Sequence, residues 1–190
     1  PTTPPHNAPE HFQGRNRPIP AREDNPYVTA FWKWWPTLYK NLKHFRMTGG
    51  EPMMDKNTYK VFQYIIDHPK DDLHLNITSN MCPPDEKLKQ KYFNMLQTIC
   101  LQEKVEHVMQ FVSVDSFGKQ AEYIRHGLDF NRMMDNVEEF LYRIPHRNSV
   151  TFIITYNNLS VTGLDKLLAK ILELRKTYSK DYQRVWFDIP

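Results

Sequence analysis

A parallel α/β fold is predicted for this chain of 190 residues. Three observations predict it. Short apolar runs with a period of two alternate with longer runs of helical period. Five runs of the first kind are separated by four of the second. Every strand-like run ends in polar residues. Strands that alternate with helices are expected to lie parallel, joined by helical crossovers.

The elements follow in chain order. Residues 1–26 hold seven of the fourteen prolines, with Gly14, Arg15, Arg17 and Arg22, and read as an extended loop or linker. His6 and His11 in it read as exposed loop histidines rather than metal ligands. The folded part is expected over 27–190. It opens with "NPYVTAFWKWWPTLYKNL", where Asn25 suits an N-cap and Pro26 the first helical position. Val28, Phe31, Trp32, Trp35, Leu38, Tyr39 and Leu42 share helical spacing, and Pro36 is expected to split the run into two short helices.

The alternation then begins. "HFRMT" reads as a strand, and "KNTYKVFQYIIDH" as a helix with Val61, Phe62, Ile65 and Ile66 inward. "LHLNITSN" is the second strand. "PDEKLKQKYFNMLQTI" is a helix with Leu88, Tyr92, Met95, Leu96 and Ile99 in register. "VEHVMQFVSVDS" is the third strand, and "DFNRMMDNVEEFLYRI" a helix with its apolar stripe from Phe130 to Ile144. "SVTFIITYN" is the fourth strand, "TGLDKLLAKILELRKTYS" the fourth crossover helix and "RVWFDIP" the last strand. The methionines, including Met133 and Met134, sit at core spacing and read as packing residues.

Bulk properties narrow the classes. Net charge is +3, with no basic block, so nucleic acid is not indicated. No apolar run reaches the ~18 residues of a membrane span. Two cysteines, Cys82 and Cys100, are too few for a disulfide framework, and a reducing cytoplasm is expected. The chain starts at Pro1 rather than Met and stops just after a strand, so it reads as an internal piece of a longer protein.

Function in parallel sheets sits at the C-terminal ends of the strands. Those exits carry Thr48-Gly49-Gly50-Glu51, then Thr78, Ser79 and Asn80, then Ser113 and Asp115, then Thr155, Asn157 and Asn158, and finally Asp188. No phosphate-binding glycine loop and no nucleophile elbow is present. Glycines permit close backbone approach, and carbonyls beside the Glu51 carboxylate suit an ammonium group. Arg125, in "QAEYIRHG", suits a carboxylate, which a guanidinium binds as a fork. Ammonium and carboxylate together describe an amino-acid moiety, while the hydroxyls and amides at Ser113 and Asn157 suit a ribose or base. Taken singly, each residue also has a structural reading: a tight turn, a helix-start charge or a surface ion pair.

"MTGGEP" after a strand resembles the Gly-Gly-Glu-Pro motif of the radical S-adenosylmethionine (SAM) superfamily. "SVDS" resembles that family's Ser-Ile-Asp-Gly strand end, with Val114 and Ser116 as departures, and "EYIRHGLDFNRMMDNVEEFL" resembles its arginine-bearing segment. From "NPYVTAFWKWWP" onward the chain is similar to twitch-domain radical SAM proteins. The resemblance implies a partial (β/α)6 TIM-like barrel, here truncated at both ends. It implies SAM across the strand exits: the amine at Thr48, Gly49, Gly50, Glu51 and Pro52, the carboxylate at Ser113 and Arg125, and the ribose or adenine at Thr155, Asn157 and Leu159. Asn80 and Asp115 complete the expected site.

The family uses a [4Fe-4S] cluster to cleave SAM to a 5'-deoxyadenosyl radical, which takes hydrogen from a peptide or small-molecule substrate. An electron donor such as flavodoxin or ferredoxin is then a partner. The family's Cys-x3-Cys-x2-Cys ligand triplet does not occur in this sequence. It is expected upstream, in the part cut away. Two other readings stay open: a degenerate barrel that binds a nucleotide or partner without catalysis, and a different parallel α/β enzyme with a similar polar edge.

Overall fold

The structure is a computed structural model and describes residues 25–189. The loop expected over 1–26, with His6 and His11, lies outside the described residues except for Asn25 and Pro26. The chain divides into two units between Leu42 and Lys43.

The first unit contains α1, Pro26–Asn41. The Asn25 side chain accepts from the Tyr27 amide at 3.0 Å, so the expected cap is present. Pro36 does not split the helix, which corrects the two-helix expectation. Proline removes the bond its own amide would donate back to the carbonyl of Trp32 and crowds that carbonyl, yet the helix continues on both sides of it. Aromatic contacts run across the gap: Trp32–Trp35 at 5.9 Å and Trp35–Tyr39 at 5.5 Å between ring centroids.

The second unit alternates as expected. Its strands are β1 His44–Met47, β2 Lys70–Ser79, β3 Val105–Ser113, β4 Asn148–Ile153 and β5 Val185–Asp188. Between them run α2 Lys56–Asp67, α3 Glu86–Leu101, α5 Phe130–Arg143 and α6 Leu164–Tyr178. A short α4, Gly118–Ile124, precedes α5 in the third crossover and was not expected. Short 3₁₀ turns at Pro52–Met54 and Val161–Gly163 lead into α2 and α6. Aspartates start three of the crossover helices. Asp55 accepts from the Asn57 amide, Asp85 from Leu88 and Asp129 from Arg132, at 2.8–3.0 Å.

The five strands form one all-parallel sheet in the order β1-β2-β3-β4-β5. Each crossover therefore steps to the next strand in the same direction. Crossovers of one hand then place every helix on one face. Side chains show that layer as continuous. Phe62 of α2 meets Tyr92 of α3 at 5.5 Å, and Phe93 of α3 meets Phe140 of α5 at 5.9 Å. Lys170 of α6 pairs with Glu138 of α5 at 2.9 Å. Under the layer lie Leu75, Ile77, Val108, Val112, Val150 and Phe152, all fully buried. Gln110, a polar residue on the same buried face, is bonded on both sides: its Oε1 accepts from Tyr92 Oη at 2.7 Å and its Nε2 donates to the Ile77 carbonyl at 3.0 Å.

Details differ from the periodicity. Ile66, Leu88 and Met95 are only half-buried, whereas Phe93 and Cys100 are buried and complete the α3 face. At the strand-entry edge the buried Arg184 closes two helices at once. Its Nη2 donates to the carbonyls of Leu141 and Ile144 at the end of α5, at 2.9 and 2.6 Å, and Nη1 to Tyr178 at the end of α6, at 3.4 Å. These carbonyls are the negative ends of both helices, which offsets the cost of burying the charge.

Gly163 joins the last 3₁₀ turn to α6. A Cβ at this position would stand 2.4 Å from Ser116 Oγ and 2.8 Å from Gln120 Oε1. Gly163→Ala is expected to lower stability by about 1–3 kcal/mol, read as a lower urea midpoint with unchanged slope. Ser116→Ala in the same chain should recover part of that loss.

Candidate functional site

The parallel sheet brings all five strand exits to one edge, nearly level, with Met47 opposite Ile77, Ser113 opposite Ile153 and Ile153 opposite Asp188. After β1 the chain turns through Gly49 at φ +87° and Gly50 at φ +55°. An added Cβ at either position meets nothing within 4 Å. The glycines are thus required by left-handed backbone, not by crowding. Thr48, Gly49 and Gly50 are exposed, while Pro52 is buried at the start of the 3₁₀ turn.

Glu51 does not stand free. Its Oε1 accepts from Ser79 Oγ at 2.6 Å and from the Met53 amide at 3.1 Å, and its Oε2 from the Asn80 amide at 2.9 Å. One carboxylate therefore ties the β1 exit to the β2 exit. The second exit is held further from within. Ser79 Oγ accepts from the Met81 amide at 2.9 Å and Asn80 Oδ1 from the Cys82 amide at 2.8 Å.

Asp115 does the same work two strands away. It is 4% exposed and receives Arg125 as a fork, Nε to Oδ2 at 2.8 Å and Nη2 to Oδ1 at 3.0 Å. Its Oδ1 also accepts from the Thr155 amide at 2.9 Å. The β3 exit, the end of α4 and the β4 exit are thereby joined. Arg125 was expected to present its fork to a ligand, but Asp115 occupies that fork, and Nη1 is left as the guanidinium nitrogen without a hydrogen bond among the described residues. Ser113 is half-buried at the end of β3.

The loop after β4 is knitted to itself. Asn157 Nδ2 donates to the Thr155 carbonyl at 3.1 Å, Asn157 Oδ1 accepts from the Leu159 amide at 2.8 Å, and Ser160 Oγ accepts from the Asn157 amide at 2.9 Å. Gln120 of α4 reaches over to the Leu159 carbonyl. The structure thus joins Glu51 to Asn80, and Asp115 to Arg125 and Thr155. No hydrogen bond among the described residues links these two groups.

Ser79, a strand-exit residue outside the expected SAM contacts, carries one of these ties, and so do Ser160 and Gln120, which the strand-exit pattern does not mark. Arg46 is another residue that this pattern does not mark. The period of two in "HFRMT" places Arg46 opposite Phe45 and Met47, on the sheet face away from the helices. Its Cζ lies 4.6 Å from the Phe111 ring centroid on β3, and its Nη2 is 3.4 Å from Thr78 Oγ1. Two hollows lie at the opposite, strand-entry edge. His146, Lys180, Tyr182 and Arg184 line one, and His44, Asp72, His74 and Glu106 the other.

The cysteines flank α3. Cys82 lies just beyond the β2 exit, and Cys100 lies at the far end of a helix of 16 residues, about 24 Å long. Burial pushes the Cys100 thiol up to about 12. No three His, Cys, Asp or Glu side chains among the described residues are grouped to hold a metal ion. No helix among them is long and apolar enough to cross a membrane.

Two exchanges test the carboxylate ties. Glu51→Gln puts an amide NH₂ against one of three donors, and Asp115→Asn removes the charge that Arg125 faces. Each is expected to cost about 1.5–3 kcal/mol in urea unfolding. Iodoacetamide at pH 8 should label native Cys82, which is half-buried, and leave Cys100 unlabelled until the chain unfolds.

Comparison of the chain with protein-family models, with curated proteins and with solved structures finds no match.

Proposed function

We propose that the strand-exit edge binds SAM and that this chain is the SAM-binding core of a radical SAM protein, its sheet being part of a (β/α)6 barrel. One observation carries the reading: two adjacent left-handed glycines at the β1 exit open onto free space beside a carboxylate fixed by three hydrogen bonds. Carbonyls of Thr48, Gly49 and Gly50, with the remaining acceptor position of Glu51, would receive the ammonium group. Ser113 Oγ and Arg125 Nη1 would receive the carboxylate. Thr155, Asn157 and Leu159 would border the ribose or adenine, with Asn80, Pro52 and Asp115 holding the exits in place. Sequential strand order with helices on one face is also what a barrel wall requires.

The cluster is a separate matter. A [4Fe-4S] centre of this family takes three thiolates, and this chain has two cysteines, at opposite ends of α3. The residues present do not fit it, so no step of SAM cleavage is assigned to them. Hydrogen abstraction from a peptide or small molecule, with flavodoxin or ferredoxin as electron donor, would require a cluster held by other thiols. The same observation favours a second reading, a SAM- or nucleotide-binding module without redox chemistry.

Calorimetry separates these. SAM is expected to bind the wild-type chain. The wild-type chain should bind SAM about tenfold or more tightly than decarboxylated SAM, because only the former presents a carboxylate to Ser113 Oγ and Arg125 Nη1. Absence of SAM binding to the folded wild-type chain would overturn the proposal. Anaerobic reconstitution with iron and sulfide tests the cluster statement: the chain should develop no [4Fe-4S] absorbance.

A further inference from the structure

We infer that Arg46 anchors an oxyanion, a carboxylate or phosphate group, of a second small molecule lying on the sheet face away from the crossover helices, just inside the Gly49–Gly50 turn. The inference rests on the SAM reading for the identity of the neighbouring ligand, but not for the chemistry of the anion.

The argument begins with what Arg46 lacks. It is exposed, and among the described residues no carboxylate pairs with it. Arg125 differs sharply, since Asp115 fills its fork. Yet Arg46 is not loose. Its guanidinium lies over Phe111, Cζ 4.6 Å from the ring centroid, with a long contact from Nη2 to Thr78 Oγ1. A guanidinium stacked on an aromatic ring is held in a fixed plane, with the remaining N–H groups pointing outward along its rim. Such a fork is matched to a bidentate oxyanion.

The surroundings agree in charge. His44 stacks on His74 at 4.8 Å, and His107 Nε2 lies 2.8 Å from Ser149 Oγ, which marks these side chains as members of the same face. From His44 toward the strand exits the register puts no acidic residue on this face on β1 to β4, and the first acid it places there is Asp188, on the far strand β5. Asp72 and Glu106 lie at the strand-entry end instead, in the hollow they share with His44 and His74. Arg46 is therefore the charged side chain of the exit half of this face on β1 to β4, three residues before Gly49. A substrate bearing a carboxylate or phosphate would be drawn to it, with its other end toward the strand exits.

The test is calorimetry at fixed ionic strength on the full chain saturated with SAM. Inorganic pyrophosphate and succinate serve as phosphate and carboxylate probes. At least one is expected to bind at millimolar concentration or below, and which one it is tells phosphate from carboxylate. Arg46→Ala and Arg46→Gln should each weaken that probe by about tenfold or more, with SAM affinity changed less than about twofold. Circular dichroism confirms that both variants are folded. Equal probe affinity in wild type and variants overturns the inference, as does failure of both probes to bind wild type. A loss of SAM affinity with unchanged probe binding also overturns it, by assigning Arg46 to the SAM carboxylate. If SAM itself does not bind, the probes are titrated without it, so the two readings fail separately.

Discussion

Everything in the second unit follows from one topological constraint: each strand is laid beside the previous one, parallel to it, and always in the same direction. A parallel pair needs a crossover that carries the chain back to the starting edge. With one hand of crossover, all four returns must run over the same face. The consequences are a single helix layer, a sheet face without helices from this unit, and five chain exits in a row. The aromatic contacts from Phe62 to Phe140 and the Tyr92–Gln110 bond pack that layer but do not create it.

Level exits pose a problem of their own. Each ends a hydrogen-bonded ladder, and backbone amides there need partners. Glu51 and Asp115 answer it in the same way, by accepting from the next exit along, Glu51 from Ser79 and Asn80 and Asp115 from Thr155. The acid in each case comes from one strand and the donor from its neighbour. A residue that looks like a ligand contact in a linear sequence can thus be a tie between loops. A carboxylate has about four acceptor positions, so Glu51 with three bonds retains room for another donor.

The order and type of the elements were readable from periodicity because β2, β3 and the crossover helices have strong one-sided patterns. Asn25, the glycine turn and the polar exits were readable for local reasons: caps and left-handed turns depend on a few adjacent residues. What escaped was set by distance in the chain. The partnership of Asp115 with Arg125 depends on where the short α4 ends, and no periodic signal marks a helix of seven residues. The continuity of α1 through Pro36 goes with a Trp35–Tyr39 ring contact that spans the proline, which propensity alone does not weigh. Arg46 sits in a strand too short to show alternation clearly, four residues in all.

The lengths of the strands have a further consequence. The two outermost, β1 and β5, are four residues each, while the inner β2 and β3 have ten and nine. The outer rim of an open sheet exposes amides and carbonyls that can recruit a strand from another molecule. Here that rim is confined to a short span on either side, too little for a long foreign strand to find its register. A strand laid along either rim would gain few backbone bonds, and on the β5 side it would meet the exposed Trp186, Phe187 and Ile189.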